Sequence, residues 1–356
     1  MSYQQKQVAD RENEQPDFGH TLTEHLSHIK ASWPGLYECV DPVRASADNY
    51  SFMTDLNLAS VDFDSASQGG RGESYRRAQQ NPLTRAVGIR QLFELVSKDQ
   101  DLQNMTPNHK VLDVLGGDGL LARAMALLVP PHSLPSILTS DLSEDMVSAA
   151  RAYGLFALRQ PAQNLLLKDN SVDGVIVAYG THHIPEDQRL QACQEAYRVL
   201  KPGGRIVLHD FEVDSPMSRW FGEVVDRYSR TGHSFPHFTA EEITGYLVGA
   251  GFEEVDLKHM YDPFILTGHS QEMVKHQLAD CLLNMYGLVK LVDLCGYEDA
   301  LEVVYALSAK YFRYEYGQNG LSDSFMASQV TVVENNTGWQ IEAPRVALVG
   351  CGVKRG

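Results

Sequence analysis

The chain has 356 residues, of which 46 are acidic and 30 basic, so its formal net charge at neutral pH is −16. This balance argues against nucleic acid or an anionic membrane as partner, because phosphate binding requires clustered Lys and Arg. The five cysteines are scattered and odd in number, which favours a reduced cytoplasm over a disulfide framework. Neither a membrane-spanning apolar run nor an apolar signal core is present, so we expect a soluble cytoplasmic protein.

The first part of the chain predicts a helical segment in front of a sheet. Residues 1–17 are polar with little to bury, and we expect a flexible arm there. Residues 18–105 carry an apolar rhythm from His20 to Val40, interrupted at Pro34, and the amphipathic run LTRAVGIRQLFELVSKD. We predict a helical cap that either covers a ligand as a lid or forms the face of a homodimer.

Residues 106–268 alternate strand and helix patterns, which indicates an α/β core with a parallel doubly wound sheet. After a strand that begins at Val111, strands are predicted at 135–139, 172–179, 205–211 and 252–260, with helices at 143–152, 187–200 and 239–251. The Lys-Pro-Gly-Gly sequence at 201–204 predicts a turn. Residues 269–330 predict a helical insertion, and residues 331–356 predict the closing strands of the core.

The stretch VLDVLGGDG from Val111 to Gly119 predicts a strand, a glycine turn and the start of a helix. Such a turn is how α/β proteins hold a nucleotide-like ligand at the carboxyl edge of a sheet. Asp141 follows the next strand, 28 residues after Asp113, close to the spacing at which an acid reaches a ribose hydroxyl. The pattern therefore indicates a ligand that contains a nucleoside.

Four sequence blocks between Val111 and about Gly268 carry a family resemblance. They are VLDVLGGDG, TSDLSEDMV, LKDNSVDGVIVAYGTHHI and RVLKPGGRIVLHDFE. In order and spacing they resemble the class I S-adenosylmethionine-dependent methyltransferases. The resemblance implies a seven-stranded Rossmann-like sheet, with the helical segments as additions, and S-adenosyl-L-methionine as cofactor. The family's first glycine is Leu115 here, so the backbone at that position must suit a side chain.

By this resemblance, the glycine turn approaches the methionine and sugar of the cofactor at Gly116, Gly117 and Gly119. Asp113 orders the turn or reaches the methionine amine. Asp141 takes both ribose hydroxyls, since its two oxygens match two donors.

The resemblance also implies residues for the adenine. Met146 is expected to pack on the adenine face. The acidic residue that binds the adenine amino group in many relatives is replaced here by Pro161, so Gln163 or Gln160 is expected to take that contact.

Histidines follow several predicted strands on the side where ligands bind in such sheets. They are His182 and His183 after the fourth strand, His209 with Asp210 at the end of the fifth, and His259 late in the sixth. Imidazole and carboxylate groups can hold a transition metal, act as a general base or serve structural roles. Two further histidines, at positions 233 and 237, are expected to shape the pocket.

A closer resemblance is to metal-dependent 2-oxo acid C-methyltransferases of the phenylpyruvate and 5-guanidino-2-oxopentanoate type, which serve the biosynthesis of peptide antibiotics. It implies iron or zinc on His209 and His259, with Asp210 as ligand, water-holder or base. The metal would stabilise the enolate formed when C3 of the 2-oxo acid loses a proton, and the enolate would take the methyl group. Asp210, His182 or His183 would be the base.

The substrate carboxylate predicts an arginine partner from the helical cap, Arg85 or Arg90. The acidic chain favours a cationic tail on the substrate, as in 5-guanidino-2-oxopentanoate. Two other functions stay open. One is a metal-independent O- or N-methyltransferase of a small natural product, and the other is a protein that binds the cofactor without methylating.

Overall fold

The computed structural model describes residues 22–45, 61–68, 70–98, 100–317 and 326–356, and the predicted arm of residues 1–17 lies outside them. The strands are β1 Lys110–Asp113, β2 Ser136–Asp141, β3 Ala157–Arg159, β4 Val172–Val177, β5 Leu200–Asp210, β6 Glu253–Tyr261, β7 Phe264–Gly268, β8 Thr331–Asn335, β9 Gly338–Ala343 and β10 Val346–Val353. The helices are α1 Leu22–Ser32, α2 Pro34–Tyr37, α3 Gly72–Ala78, α4 Ala86–Val96, α5 Leu120–Leu128, α6 Glu144–Ala152, α7 Glu186–Val199, α8 Pro216–Trp220, α9 Asp226–Tyr228, α10 Ala240–Ala250, α11 Gln271–Met285, α12 Val289–Cys295 and α13 Tyr297–Tyr311.

The main sheet has seven strands in the order β3-β2-β1-β4-β5-β10-β6. Neighbours from β3 to β5 run parallel, and β10 runs antiparallel to both β5 and β6. This order confirms the predicted doubly wound, Rossmann-like fold with its late antiparallel strand. The order reverses between β1 and β4, so their carboxyl ends flank the crevice where such sheets bind ligands.

The central strands are buried on both faces, because helices cover each side of the sheet. One face packs against α4, α5, α11 and α13, and the other packs against α7 and α10. This burial explains why β4 and β10 read as nearly continuous apolar runs.

The Lys-Pro-Gly-Gly sequence differs from its prediction as a turn. The structure extends β5 back to Leu200 through these residues, with a register shift against β4 between Val172 and Gly174. Gly203 takes φ +83°, a conformation that glycine adopts without strain. The segment is therefore an irregular strand entry.

A second, three-stranded sheet in the order β7-β9-β8 lies beside α11. Of the predicted closing segment 331–356, only β10 enters the main sheet, while β8 and β9 form a hairpin that pairs with β7. The insertion itself is helical, as its periodicity predicts, and it buries its apolar side in the core shared with α4. None of the helices in the described part of the chain has the length and hydropathy needed to cross a bilayer.

Candidate active site

A cavity of about 310 Å³ opens at the carboxyl edge of the sheet, between the ends of β1, β2 and β4. Its lining includes the glycine turn at Gly117, the strand-end carboxylate Asp141, and aromatic side chains from the cap, Phe63 and Tyr75. The cavity thus lies at the position that the fold predicts for a ligand.

Asp141 is fixed by backbone donors at the end of β2. Its Oδ2 accepts a hydrogen bond from the Gly117 N–H at 2.9 Å, and its Oδ1 accepts one from the Ser143 N–H at 2.9 Å. Gly117 has φ +54°, which turns this N–H toward the carboxylate. Burial raises the pKa of Asp141 to about 6, so the group is ionised at neutral pH and can accept from two hydroxyls.

The other two glycines of the turn act through close packing. A Cβ on Gly116 would lie 2.6 Å from Asp113 Oδ2 and 2.7 Å from Thr139 Cγ2. A Cβ on Gly119, which begins α5 with φ +81°, would lie 2.3 Å from Leu155 Cδ1. Neither position therefore has room for a side chain, because the turn packs closely against β1, β2 and Leu155.

Asp113 lies beneath the turn and is 1% exposed, and its Oδ2 makes no hydrogen bond to any described residue. Burial, together with the nearby Asp141 and Asp118 carboxylates, raises the pKa of Asp113 to about 8. Asp113 packs against the turn at Gly116, and its role in ordering the turn or in reaching the methionine amine stays a prediction. Leu115 lines the cavity without a left-handed backbone, so it is accommodated there.

The residues expected at the adenine all border the cavity. Met146 is 1% exposed and lines the cavity next to the turn, where its Sδ would lie 3.9 Å from a Cβ on Gly117. Gln163 donates to Gln188 Oε1 at 2.6 Å, whereas Gln160 accepts from the Leu166 N–H at 2.7 Å and keeps a buried Nε2 without a partner in the described residues. The amide nitrogen of Gln160 is therefore available to a ligand, whereas the amide nitrogen of Gln163 already donates to Gln188.

A histidine cluster, consisting of His182, His183, His233 and His237, lies beside this cavity. Their ring centroids are 4.5 to 5.8 Å apart for the contacting pairs. The first two stand on the short helical turn Thr181–His183 after β4, and the other two stand on the loop before α10. His183 lines the cavity, so the cluster has one side open to a ligand.

Asp210 anchors the cluster at the end of β5. It accepts hydrogen bonds from His182 Nδ1 at 2.9 Å, from His237 Nδ1 at 3.3 Å, and from the backbone N–H groups of His182 and Phe211, both at 2.7 Å. Burial alone would raise its pKa, but the His182 and His237 imidazoles hold the pKa of Asp210 well below its usual range. Asp210 is a positioning residue here and a poor candidate for the base.

Two imidazoles of the cluster, His183 at the cavity and His233 behind it, have lowered pKa values and are neutral at physiological pH. Burial, with the adjacent His182 and His233 rings, lowers the pKa of His183 well below its ordinary value. Burial also lowers the pKa of His233 to about 2. Each ring therefore presents a nitrogen lone pair.

The structure does not bring the predicted metal ligands His209 and His259 together. On β10, Val349 pairs with His209 and its neighbour Leu348 pairs with His259. Paired residues share a face of a sheet and successive residues alternate, so the two imidazoles point to opposite faces. A metal ion shared by these two histidines is incompatible with this register.

Each of these histidines has its own surroundings. His209 is fully buried, with Nε2 4.0 Å from Asp262 Oδ2 and its ring 4.7 Å from that of Tyr179. His259 is partly exposed and its Nε2 lies 2.8 Å from Glu212 Oε2. The residues present thus do not fit the implied metal at this position.

The two candidate arginines have different positions. Arg90 is exposed and its Nε donates to Glu94 Oε1 at 2.9 Å on the same helix. Arg85 is 5% exposed, and its guanidinium lies 4.5 Å above the ring of Tyr179, a residue that lines the cavity. Its Nη2 contacts Met285 Sδ at 3.1 Å, but its Nε and Nη1 have no hydrogen-bond partner in the described residues.

Tyr179 is a site residue that sequence reasoning missed. It follows β4 with φ +61°, a left-handed conformation that is strained for an aromatic residue. Its hydroxyl donates to Asp262 Oδ1 at 3.2 Å, and Asp262 in turn pairs with Arg345. In the sequence, the glycine that follows Tyr179 in the AYGTHH block, Gly180, is the feature that indicates a turn here.

The chain is similar in sequence to known methyltransferases. Residues 112–208 match the family model described as a methyltransferase domain. The ubiquinone/menaquinone biosynthesis C-methyltransferase UbiE of Ectopseudomonas mendocina is 29% identical over 137 residues, 36% of this chain and 51% of that protein. The protein of the same name from Hahella chejuensis is 28% identical over 215 residues, 57% of this chain and 78% of that protein.

The chain spans about half the length of the first of these relatives. Among solved structures, Haemonchus contortus phosphoethanolamine N-methyltransferase 2 in complex with S-adenosyl-L-methionine has 16% sequence identity and a TM-score of 0.48. That alignment covers 86% of this chain and 60% of the other.

Proposed function

We propose that the chain, whose residues 112–208 match a methyltransferase domain, is a class I S-adenosylmethionine-dependent methyltransferase that methylates C3 of a small 2-oxo acid. The observation that carries the proposal is that one cavity borders two groups. The first is the buried Arg85, which has free N–H groups and lies behind the cavity-lining ring of Tyr179, and the second is the histidine cluster, whose His183 lines the cavity. The first group suits a substrate carboxylate, and the second suits removal of a proton from carbon. The curated relatives are C-methyltransferases, which supports carbon as the acceptor.

The residues that border the cavity suit the cofactor. Asp141 keeps acceptor capacity for the ribose hydroxyls beyond its two backbone bonds, and Met146 supplies an apolar wall for the adenine. The unpaired Nε2 of Gln160 is a buried donor that a polar atom of the ligand would satisfy. When bound, S-adenosyl-L-methionine supplies an electrophilic methyl group on sulfonium sulfur.

Arg85 supports a carboxylate as the anchoring group of the substrate. Charge-assisted N–H donors of a guanidinium bind carboxylates, and Arg85 has Nε and Nη1, which point to different sides of the group, without a partner in the described residues. Asp262, the carboxylate whose charge acts on Arg85, is already paired with Arg345 Nη2 at 2.5 Å. An anionic substrate group would therefore complete the surroundings of Arg85.

The histidine cluster supports proton removal from C3. The C3–H electron pair would stay on the substrate as an enolate, and the proton would pass to His183, to His182, whose Nδ1–H is held by Asp210, or to a water molecule held beside these rings. The enolate carbon would then form the new bond to the methyl group, leaving S-adenosylhomocysteine and a 3-methyl-2-oxo acid. The charge balance of 46 acidic against 30 basic residues supports a cationic tail such as that of 5-guanidino-2-oxopentanoate.

The test is product analysis with a panel of acceptors. We expect S-adenosylhomocysteine to form with 2-oxo acids, a methyl group on C3 by mass spectrometry and NMR, and exchange of the C3 proton with deuterated water. Methylation of only hydroxyl or amino acceptors would refute the proposal and identify an O- or N-methyltransferase. Cofactor binding without turnover on any acceptor would identify a non-methylating protein.

A further inference from the structure

Three histidines of the cluster are arranged as metal ligands. One ring nitrogen from each of His182, His183 and His233 lies within 4.8 Å of the corresponding nitrogens of the other two. Nitrogens that share a tetrahedral zinc ion at about 2.1 Å are roughly 3.4 Å apart, so small rotations of these rings would close the site. No fold-level rearrangement is needed, because two of the ligands are adjacent on the turn Thr181–His183.

Asp210 orients the first of these ligands. Its carboxylate accepts from His182 Nδ1 at 2.9 Å, so the proton of this ring is on Nδ1 and Nε2 presents its lone pair. Metal-bound histidines commonly donate their second nitrogen to a carboxylate, which fixes the tautomer and the plane of the ring. The same carboxylate also holds His237 and two backbone N–H groups, so it is rigid.

His233 supplies an independent observation. It is buried, and its Nε2 makes no hydrogen bond to any residue that the structure describes. A buried ring nitrogen without a partner is costly, and a bound ion would account for it. Asp226 holds the backbone N–H of His233 at 2.7 Å, which keeps the ring directed into the cluster.

The open side of the three ligands faces the cavity. His183 lines the cavity, while Phe221 and Phe235 pack against the other sides of the cluster at 4.3 to 5.4 Å between ring centroids. Three protein ligands with a remaining position toward a ligand cavity are the pattern of a catalytic metal site, since structural zinc sites use four protein ligands.

We propose that His182, His183 and His233 hold one divalent transition metal ion, zinc or iron(II), that is open toward the cofactor cavity. This site replaces the pair His209 and His259, which the sheet places on opposite faces. Its chemistry rests on the proposed function: the ion would bind the keto oxygen of the 2-oxo acid and stabilise the enolate oxygen. The electron pair of the C3–H bond would move into the enolate and the proton would pass to water, so the imidazoles would serve as ligands and not as the base.

The test measures metal binding without substrate. Protein prepared without a histidine tag and stripped with a chelator is titrated with Zn²⁺ by calorimetry and with Co²⁺ by visible absorption. We expect one equivalent to bind, at least a hundredfold loss of affinity in His233→Ala, and a loss of ten- to a hundredfold in Asp210→Asn. His259→Ala is the matched control and should bind the ion as the unaltered protein does.

Binding of S-adenosyl-L-methionine to each variant shows that the fold is intact, and His233→Gln gives a second variant of similar size. Absence of stoichiometric binding, or a loss in His259→Ala in place of His233→Ala, would overturn the site. If metal binds but C3 is not methylated, the metal site stands and the proposed function fails. If stripped protein methylates C3 at full rate and binds no metal, the function stands and the metal site fails.

Discussion

Replacement of Arg85 by alanine removes the guanidinium that we assign to the substrate carboxylate. Its Nε and Nη1 are the two free donors in the buried group, and each charge-assisted hydrogen bond contributes about 1.5–3 kcal/mol. Nε and Nη1 point to different sides of the guanidinium, so one carboxylate accepts from one of them, and the loss of that bond corresponds to roughly 10- to 10²-fold in kcat/KM. Arg85→Lys keeps the charge but not the direction of the guanidinium donors, so an intermediate loss is expected.

The assay follows S-adenosylhomocysteine production at limiting 2-oxo acid, with cofactor affinity measured separately by calorimetry. Cofactor affinity should be nearly unchanged in Arg85→Ala, because Arg85 lies behind Tyr179 and outside the cavity lining. Arg90→Ala is the matched control, since Arg90 is exposed and paired with Glu94 on the same helix.

A kcat/KM for Arg85→Ala within threefold of that of the unaltered protein would refute the assignment. If kcat/KM falls equally in Arg85→Ala and Arg90→Ala, the substitutions disturb the cap as a whole and do not identify a contact with the substrate. A substrate ester without the negative charge should be nearly insensitive to Arg85→Ala, which separates charge recognition from a packing defect.

Three other predictions concern the cofactor site and the core. The Kd for S-adenosyl-L-methionine should rise up to tenfold per pH unit below about 6, because protonated Asp141 loses acceptor capacity, and a flat calorimetric profile from pH 5 to 7 would contradict this. Gly116→Ala should weaken cofactor binding and lower the free energy of unfolding by about 1–3 kcal/mol, because its Cβ would overlap β1 and β2, whereas the control Gly222→Ala meets nothing within 4 Å. Arg345→Met should cost about 3–5 kcal/mol in denaturant unfolding by leaving Asp262 buried without its partner, and adding Asp262→Asn should recover part of that loss; no recovery would contradict the pairing.

The cofactor half of the site could be predicted from sequence because its determinants are local. The glycine turn, the carboxylate at the end of the next strand and the order of the parallel strands follow from short patterns along the chain. Asp141 is placed correctly at the carboxyl edge because it ends β2, whatever the distant parts of the chain do.

The part of the site that would bind the methyl acceptor depends on how distant strands pair. The spacing of residues along the chain does not determine that pairing. His209 and His259 lie fifty residues apart and end neighbouring predicted strands, but β10 inserts between them and puts them on opposite faces. His233 stands on a loop without periodicity, so its approach to His182 follows only from the folded path. The left-handed turn at Tyr179 is local, but a non-glycine residue rarely adopts it, so the predicted strand continues through residue 179.

Strand β10 also governs when the site can form. It pairs with both β5 and β6, and Val349 meets His209, 140 residues earlier in the chain (349 − 209). During synthesis, β5 therefore leaves the ribosome with an unpaired edge and must wait for the insertion and the second sheet before its partner arrives. Asp210 lies at the end of that edge and pairs with Leu348, so the sheet around the histidine cluster is complete only after β10 has docked.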